Sequence, residues 1–189
     1  MKKGISIIEL LVTIVIFTIV SGILVAIFIS GWRTFHWQSS QADTQAQAKF
    51  VTSTISREIQ QADRVLASRT FGAESYTSSA TTLILEIPSI DANQYIIEGS
   101  YDFEVFYLDP ADPKKLKLKR EANPSSARRT ETKTISGSIE NLTFVYKKGD
   151  VEVSPAESEI VTIKITTSQT SYGKTQKTSL VGQAKLRNK

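Results

Sequence analysis

Residues Leu10 to Ile29 read LLVTIVIFTIVSGILVAIFI. This run decides the fold, because about 20 uncharged residues make a helix of roughly 30 Å, the thickness of a bilayer core. Thr13, Thr18, Ser21 and Gly22 interrupt it only mildly. Hydroxyls can bond back to the helix's own carbonyls, so they do not spoil a span. On its amino-terminal side stand the basic pair Lys2 and Lys3, then Gly4, Ile5 and a single acid, Glu9. On the other side comes Trp32-Arg33-Thr34-Phe35-His36-Trp37, which holds the chain's two tryptophans and its one histidine. Aromatic rings favour the headgroup zone, so Trp32 and Trp37 are read as a membrane-interface belt.

An ordinary secretory signal has a shorter apolar core followed by small residues at a cleavage site. Here the core is too long and the flank too bulky. A plain signal anchor fits the length and the leading lysines but gives no role to Glu9. A carboxylate inside an apolar helix costs about 2.5–3.5 kcal/mol on insertion scales and requires a partner.

Gly4-Ile5-Ser6-Ile7-Ile8-Glu9-Leu10-Leu11-Val12 resembles the processing motif of type IV prepilins and type II secretion pseudopilins. The resemblance implies that a prepilin peptidase cuts between Gly4 and Ile5 and that Ile5 is then N-methylated. It also implies that Glu9 guides assembly by meeting the amino terminus of a neighbouring subunit. A buried carboxylate and ammonium attract far more strongly in low dielectric than in water. The family usually has Phe where this chain has Ile5, which keeps the position apolar. Arg57-Glu58-Ile59-Gln60-Gln61-Ala62 is also similar, over a short stretch, to minor pilins and J-type pseudopilins. The implied partners are membrane lipid, the peptidase and methyltransferase, and other pilins in a filament.

Beyond the span, no proline or glycine occurs from Ser39 to Ser68, and helix formers dominate. Phe50, Val51, Ile55, Ile59, Ala62 and Val65/Leu66 recur at helical spacing and predict one buried stripe. Arg57 and Glu58 read as solvated charges. Residues 5–31 are thus assigned to the span, 32–70 to an amphipathic extension of the same helix, and 71–189 to a β-rich domain, behind a leader at 1–4.

In that domain residues 72–82 and 121–134 read as polar loops. Leu83-Ile84-Leu85-Glu86-Ile87 reads as a strand ended by Pro88, and Gly99 as the turn of a hairpin between Tyr95-Ile96-Ile97 and Tyr101 to Leu108. Lys115-Leu116-Lys117-Leu118-Lys119 alternates, leucines in and lysines out. Leu142, Phe144 and Tyr146 alternate likewise, and strands are predicted at Ile160 to Thr166 and about Thr178 to Leu186. The expected class is α+β: one long helix whose outer half lies on an antiparallel sheet.

Composition narrows the chemistry. The chain has 189 residues, no cysteine and a formal charge of +4. Loss of Lys2 and Lys3 would leave 21 basic residues against 19 acidic, +2, a weak case for nucleic acid. The lysine strand with Arg120, Arg128 and Arg129 can touch DNA, but lysines also blunt sheet edges. No nucleophile–base, P-loop or metalloprotease pattern occurs, so no catalytic residue is assigned. No cofactor is expected; Asp109-Pro110-Ala111-Asp112 and Gly149-Asp150 offer oxygens to calcium without EF-hand spacing, and Asp-Pro turns are the simpler reading. The function expected is a structural subunit of a pilus, secretion or DNA-uptake filament. The alternative is an adhesin or sensor domain on a signal anchor.

Overall fold

Ser6 opens α1 (Ile7–Gln61, 55 residues), the single α-helix among the described residues, in the computed structural model, which describes residues 6–187. At 1.5 Å per residue the helix is about 80 Å long. It ends at Gln61, short of the Ser68 that composition predicts. Ala62 turns extended (φ −77°, ψ 142°), and Arg64–Val65 (β1) pairs with a strand instead. Sheet pairing and burial of Val65 override the helical propensity of the last turns.

Among the described residues eleven strands follow, in two antiparallel sheets and a small hairpin. β1, β4 (Thr82–Ile90), β5 (Ile96–Asp109), β6 (Asp112–Glu121) and β7 (Glu131–Ser136) form the first sheet in that order. β11 (Lys174–Lys185), β10 (Ile160–Ser171), β8 (Ile139–Lys148) and β9 (Val151–Glu152) form the second. β2 (Ser68–Phe71) and β3 (Glu74–Thr77) make the hairpin. The α+β class is as the sequence predicts, with two sheets where one was expected.

The core gathers Val51, Ile55 and Ile59 of α1 with Leu83, Leu85, Phe106, Leu116 and Leu118 of the first sheet and Leu142, Phe144, Val161 and Ile163 of the second. The buried stripe of α1 starts at Ser40 and continues through Thr44, Ala48, Val51, Thr52, Ile55, Glu58 and Ile59. Its first turns carry small residues because the β10–β11 hairpin lies close. A Cβ on Gly182 would stand 2.3 Å from Thr52 Cγ2, so only glycine fits that crossing without a shift. Phe50, expected in the stripe, is 58% exposed.

Other expectations change for local reasons. Gly99 is not a hairpin turn. It lies at φ +71° within β5, where the pairing jumps from Pro88↔Tyr101 to Ile90↔Ile96. The reversal is at Asp91 to Gln94, where Asp91 Oδ1 accepts from the amides of Asn93 and Tyr95. Pro88 sits inside β4, not at its end. β1 covers only Leu85 and Glu86, so Pro88's missing N–H interrupts no ladder, and its carbonyl accepts from Arg128 Nη1 at 2.6 Å. The two predicted loops contain β3 and the first residues of β7. β7 pairs with β6, so the lysine strand is interior and not an edge.

Candidate functional site

The inner half of α1 is uncovered all round. From Ile7 to Ile29 its large apolar side chains are between 45% and 78% exposed. It is the one helix among the described residues long and apolar enough to cross a membrane, and it is a candidate membrane anchor. Glu9 lies in its first turn. Its Oε2 accepts from the Ser6 amide at 2.9 Å, while Ser6 Oγ accepts from the Ile8 amide at 3.2 Å, which closes a capping box. The carboxylate therefore already meets one amide and the positive end of the helix dipole. Lys2, Lys3, Gly4 and Ile5 lie outside the described residues.

At the outer end of the apolar run the β10–β11 hairpin returns to the helix. Ser171 pairs with Lys174 across a two-residue turn, with Tyr172 at φ 48° and Gly173 at φ 75°, the positive values a type I′ turn needs. The hairpin follows the helix: Thr167 Oγ1 donates to the Thr44 carbonyl at 2.8 Å, and the Thr44 and Thr178 hydroxyls meet at 3.1 Å. Its tip reaches Trp32, whose Nε1 donates to the Tyr172 hydroxyl at 3.3 Å. His36 is edge-on to Trp32 (4.9 Å) and Tyr172 (5.4 Å), an aromatic contact, and its buried Nε2 has no hydrogen-bond partner among the described residues. Trp32 and Trp37 remain 52% and 42% exposed, so both tryptophans are open at the predicted interface level.

At the far end of α1 sits a buried ionic node that periodicity does not predict. Alternation on β5 puts Tyr101, Phe103, Val105 and Tyr107 on one face; the other face, with Asp102 and Glu104, is turned toward α1. Both acids are fully buried. Asp102 accepts from Ser89 Oγ, the Asn123 amide, Ser126 Oγ and Arg128 Nη1, all within 2.9 Å. Burial raises its pKa, but Arg128 and the other donors outweigh that and hold it below the usual carboxylate range. Glu104 has less help. Arg120 pairs with one oxygen, and Oε2 has no partner. Burial, above all, pushes its carboxyl up to about 7, with Arg120 opposing and nearby Glu58 adding to the rise. Glu58 is itself buried, contrary to the solvated reading, whereas its partner Arg57 is exposed. A cleft of about 700 Å³ lined by Arg57, Glu58, Gln61, Arg120, Arg128 and Arg187 opens beside the node. Arg120 and Arg128 are occupied by these carboxylates, which removes them from the lysine face.

That face carries Lys117 and Lys119, opposite the buried Leu116 and Leu118. Lys117 pairs with Asp109 at 2.7 Å and Lys119 with Glu74 of the β2–β3 hairpin at 2.7 Å. Asp112 pairs with Lys115 at 3.3 Å. Among the described residues no group of three or more His, Cys, Asp or Glu is placed to hold a metal ion. No signal in the local sequence marks the Tyr172–Trp32 meeting or the node, since each joins residues far apart in the chain. No protein-family model and no curated protein matches this chain.

Proposed function

We propose that the chain is a structural filament subunit, a minor pilin or pseudopilin of a type IV pilus, type II secretion or DNA-uptake machine. The observation that carries the reading is the pairing of a naked apolar half-helix with one carboxylate in its first turn. A helix apolar all round needs lipid or other helices as its surroundings. Glu9, within that apolar helix, needs a positive partner, and the capping box supplies only a dipole. In this reading the chain rests first in the cytoplasmic (inner) membrane, with its carboxy-terminal domain outside. A prepilin peptidase cuts after Gly4, and Ile5 becomes the methylated terminus. Neighbouring inner half-helices then bundle, and the Ile5 ammonium of one subunit neutralises Glu9 of the next. The chain performs no catalysis of its own.

Mass spectrometry of the protein from its native envelope tests this. The expected mature chain begins at N-methylated Ile5, and Gly4→Val abolishes that product. Glu9→Leu is expected to leave membrane insertion intact and to remove the subunit from sheared fibres. Native material that keeps Met1 to Gly4 and is absent from every fibre would overturn the reading and favour an anchored adhesin or sensor.

A further inference from the structure

The tip of the β10–β11 hairpin and the exit of α1 enclose two adjoining cavities. One, about 630 Å³, is lined by Arg33, Thr34, Trp37, Ser171, Tyr172 and Lys174. Its lining holds two cations, three hydroxyls and no acid. Neither Arg33 nor Lys174 forms an ion pair among the described residues. The second, about 340 Å³, is lined by Phe28, Ile29 and Trp32 and shares Arg33 and Tyr172 with the first. Its surface is almost wholly apolar. A cavity that carries two cations and three hydroxyls on an otherwise apolar lining thus adjoins an almost wholly apolar one, which borders the uncharged run.

We propose that this paired notch binds one anionic phospholipid, its phosphodiester between Arg33 and Lys174 and the start of an acyl chain against Phe28, Ile29 and Trp32. Level and charge both favour lipid over a protein partner. No charged residue lies between Glu9 and Arg33, so Arg33 is the first cation a helix rising from hydrocarbon presents to headgroups. Guanidinium and ammonium groups suit phosphate, and the Trp32, Trp37 and Tyr172 rings suit the interface. The hairpin brings Lys174 to that level from the other end of the sequence, so the domain itself contributes to the lipid contact. The inference rests on the membrane anchor of the preceding section and not on fibre assembly.

Trp32 and Trp37 are the chain's only tryptophans, one in each cavity, and serve as built-in reporters. The full chain is placed in phosphatidylcholine vesicles containing either brominated phosphatidylglycerol or brominated phosphatidylcholine. Phosphatidylglycerol is expected to quench the tryptophans at about thirtyfold lower mole fraction, as two cations near a surface predict. The preference should weaken with added salt. Arg33→Gln with Lys174→Gln should abolish it while leaving quenching by brominated phosphatidylcholine unchanged, which shows that the variant still inserts. Equal quenching by both lipids in the unaltered chain overturns the site but not the anchor. Preference that survives in the double variant also overturns it. Absence of quenching by either lipid overturns the anchor and the site together. Shielding from both lipids that grows with protein density would assign the notch to a second copy, which likewise defeats the proposal.

Discussion

The two halves of α1 share one continuous backbone and differ in everything around it. The inner half turns Ile, Val, Leu and Phe outward in every direction and touches nothing until the hairpin tip reaches Trp32. The outer half buries a single stripe, narrow and small-sided near Ser40 and Ala48, broad and aliphatic near Ile55 and Ile59. A helix is a carrier of side chains, and its surroundings are chosen by their distribution. The inner distribution calls for a solvent other than water; the outer one calls for the β domain.

If that contrast is right, substitutions should separate cleanly along the helix axis. The largest effect is expected at the buried node. Arg128→Ala leaves Asp102 buried without its counter-charge and should cost about 3–5 kcal/mol of domain stability, read as a lower urea midpoint by circular dichroism on the detergent-solubilised chain. Next comes pH. Glu104 titrates at about 7 folded and about 4.5 unfolded, so the folded state holds the extra proton between those values. Its contribution is full below about pH 4.5 and is lost as pH rises through 7, a swing of about 3 kcal/mol at 1.36 kcal/mol per unit. Asp102 acts oppositely: its folded pKa is depressed, so its stabilisation is present above about 3.8 and is lost as pH falls below that. Glu104→Gln should flatten the fall between pH 4.5 and 7 and leave the acid limb untouched, as urea midpoints across pH 3–8 would show. A smaller effect is expected where the hairpin crosses the helix. Gly182→Ala should destabilise by about 1–3 kcal/mol through overpacking against Thr52 Cγ2, and Thr52→Ser in the same chain should relieve it, as a double-mutant cycle of melting points can measure. Least of all, Ile16→Ala should shift the domain's urea midpoint by less than about 0.5 kcal/mol. A large loss at Ile16 would mean that the inner half supports the domain after all.

Much of this contrast is legible in sequence. The uncharged run, the helix on both sides of Trp32, the inward Leu116 and Leu118, and the row of Leu142, Phe144 and Tyr146 all follow from local periodicity. What escapes is set by distant partners. Asp102 and Glu104 face inward because arginines from β6 and the following loop meet them there, and alternation alone places the aromatic face inside. That aromatic face is covered too, by β2–β3, with Phe71 and Tyr76 against Val105 and Tyr107. Gly99 marks an irregularity within one strand, a reading that composition cannot separate from a turn. Of the candidate site, Glu9 and the two tryptophans stand out on inspection. Tyr172 and Lys174 do not, because their position beside Trp32 depends on the length and register of a hairpin about 140 residues away.

That hairpin has a mechanical consequence. Its two 12-residue strands run alongside the helix from the Gly182–Thr52 crossing to Trp32, about 30 Å by either route. Its hydrogen bonds to the helix are spread along that axis: Trp32 to Tyr172, Thr44 to Thr178, and Thr167 to the Thr44 carbonyl. A pull along the helix axis, with the inner half of α1 held and the domain drawn away, therefore loads these contacts together in shear and does not peel them one by one. The hairpin is a splint beside the outer end of the apolar run, and single-molecule stretching should find its rupture from the helix abrupt.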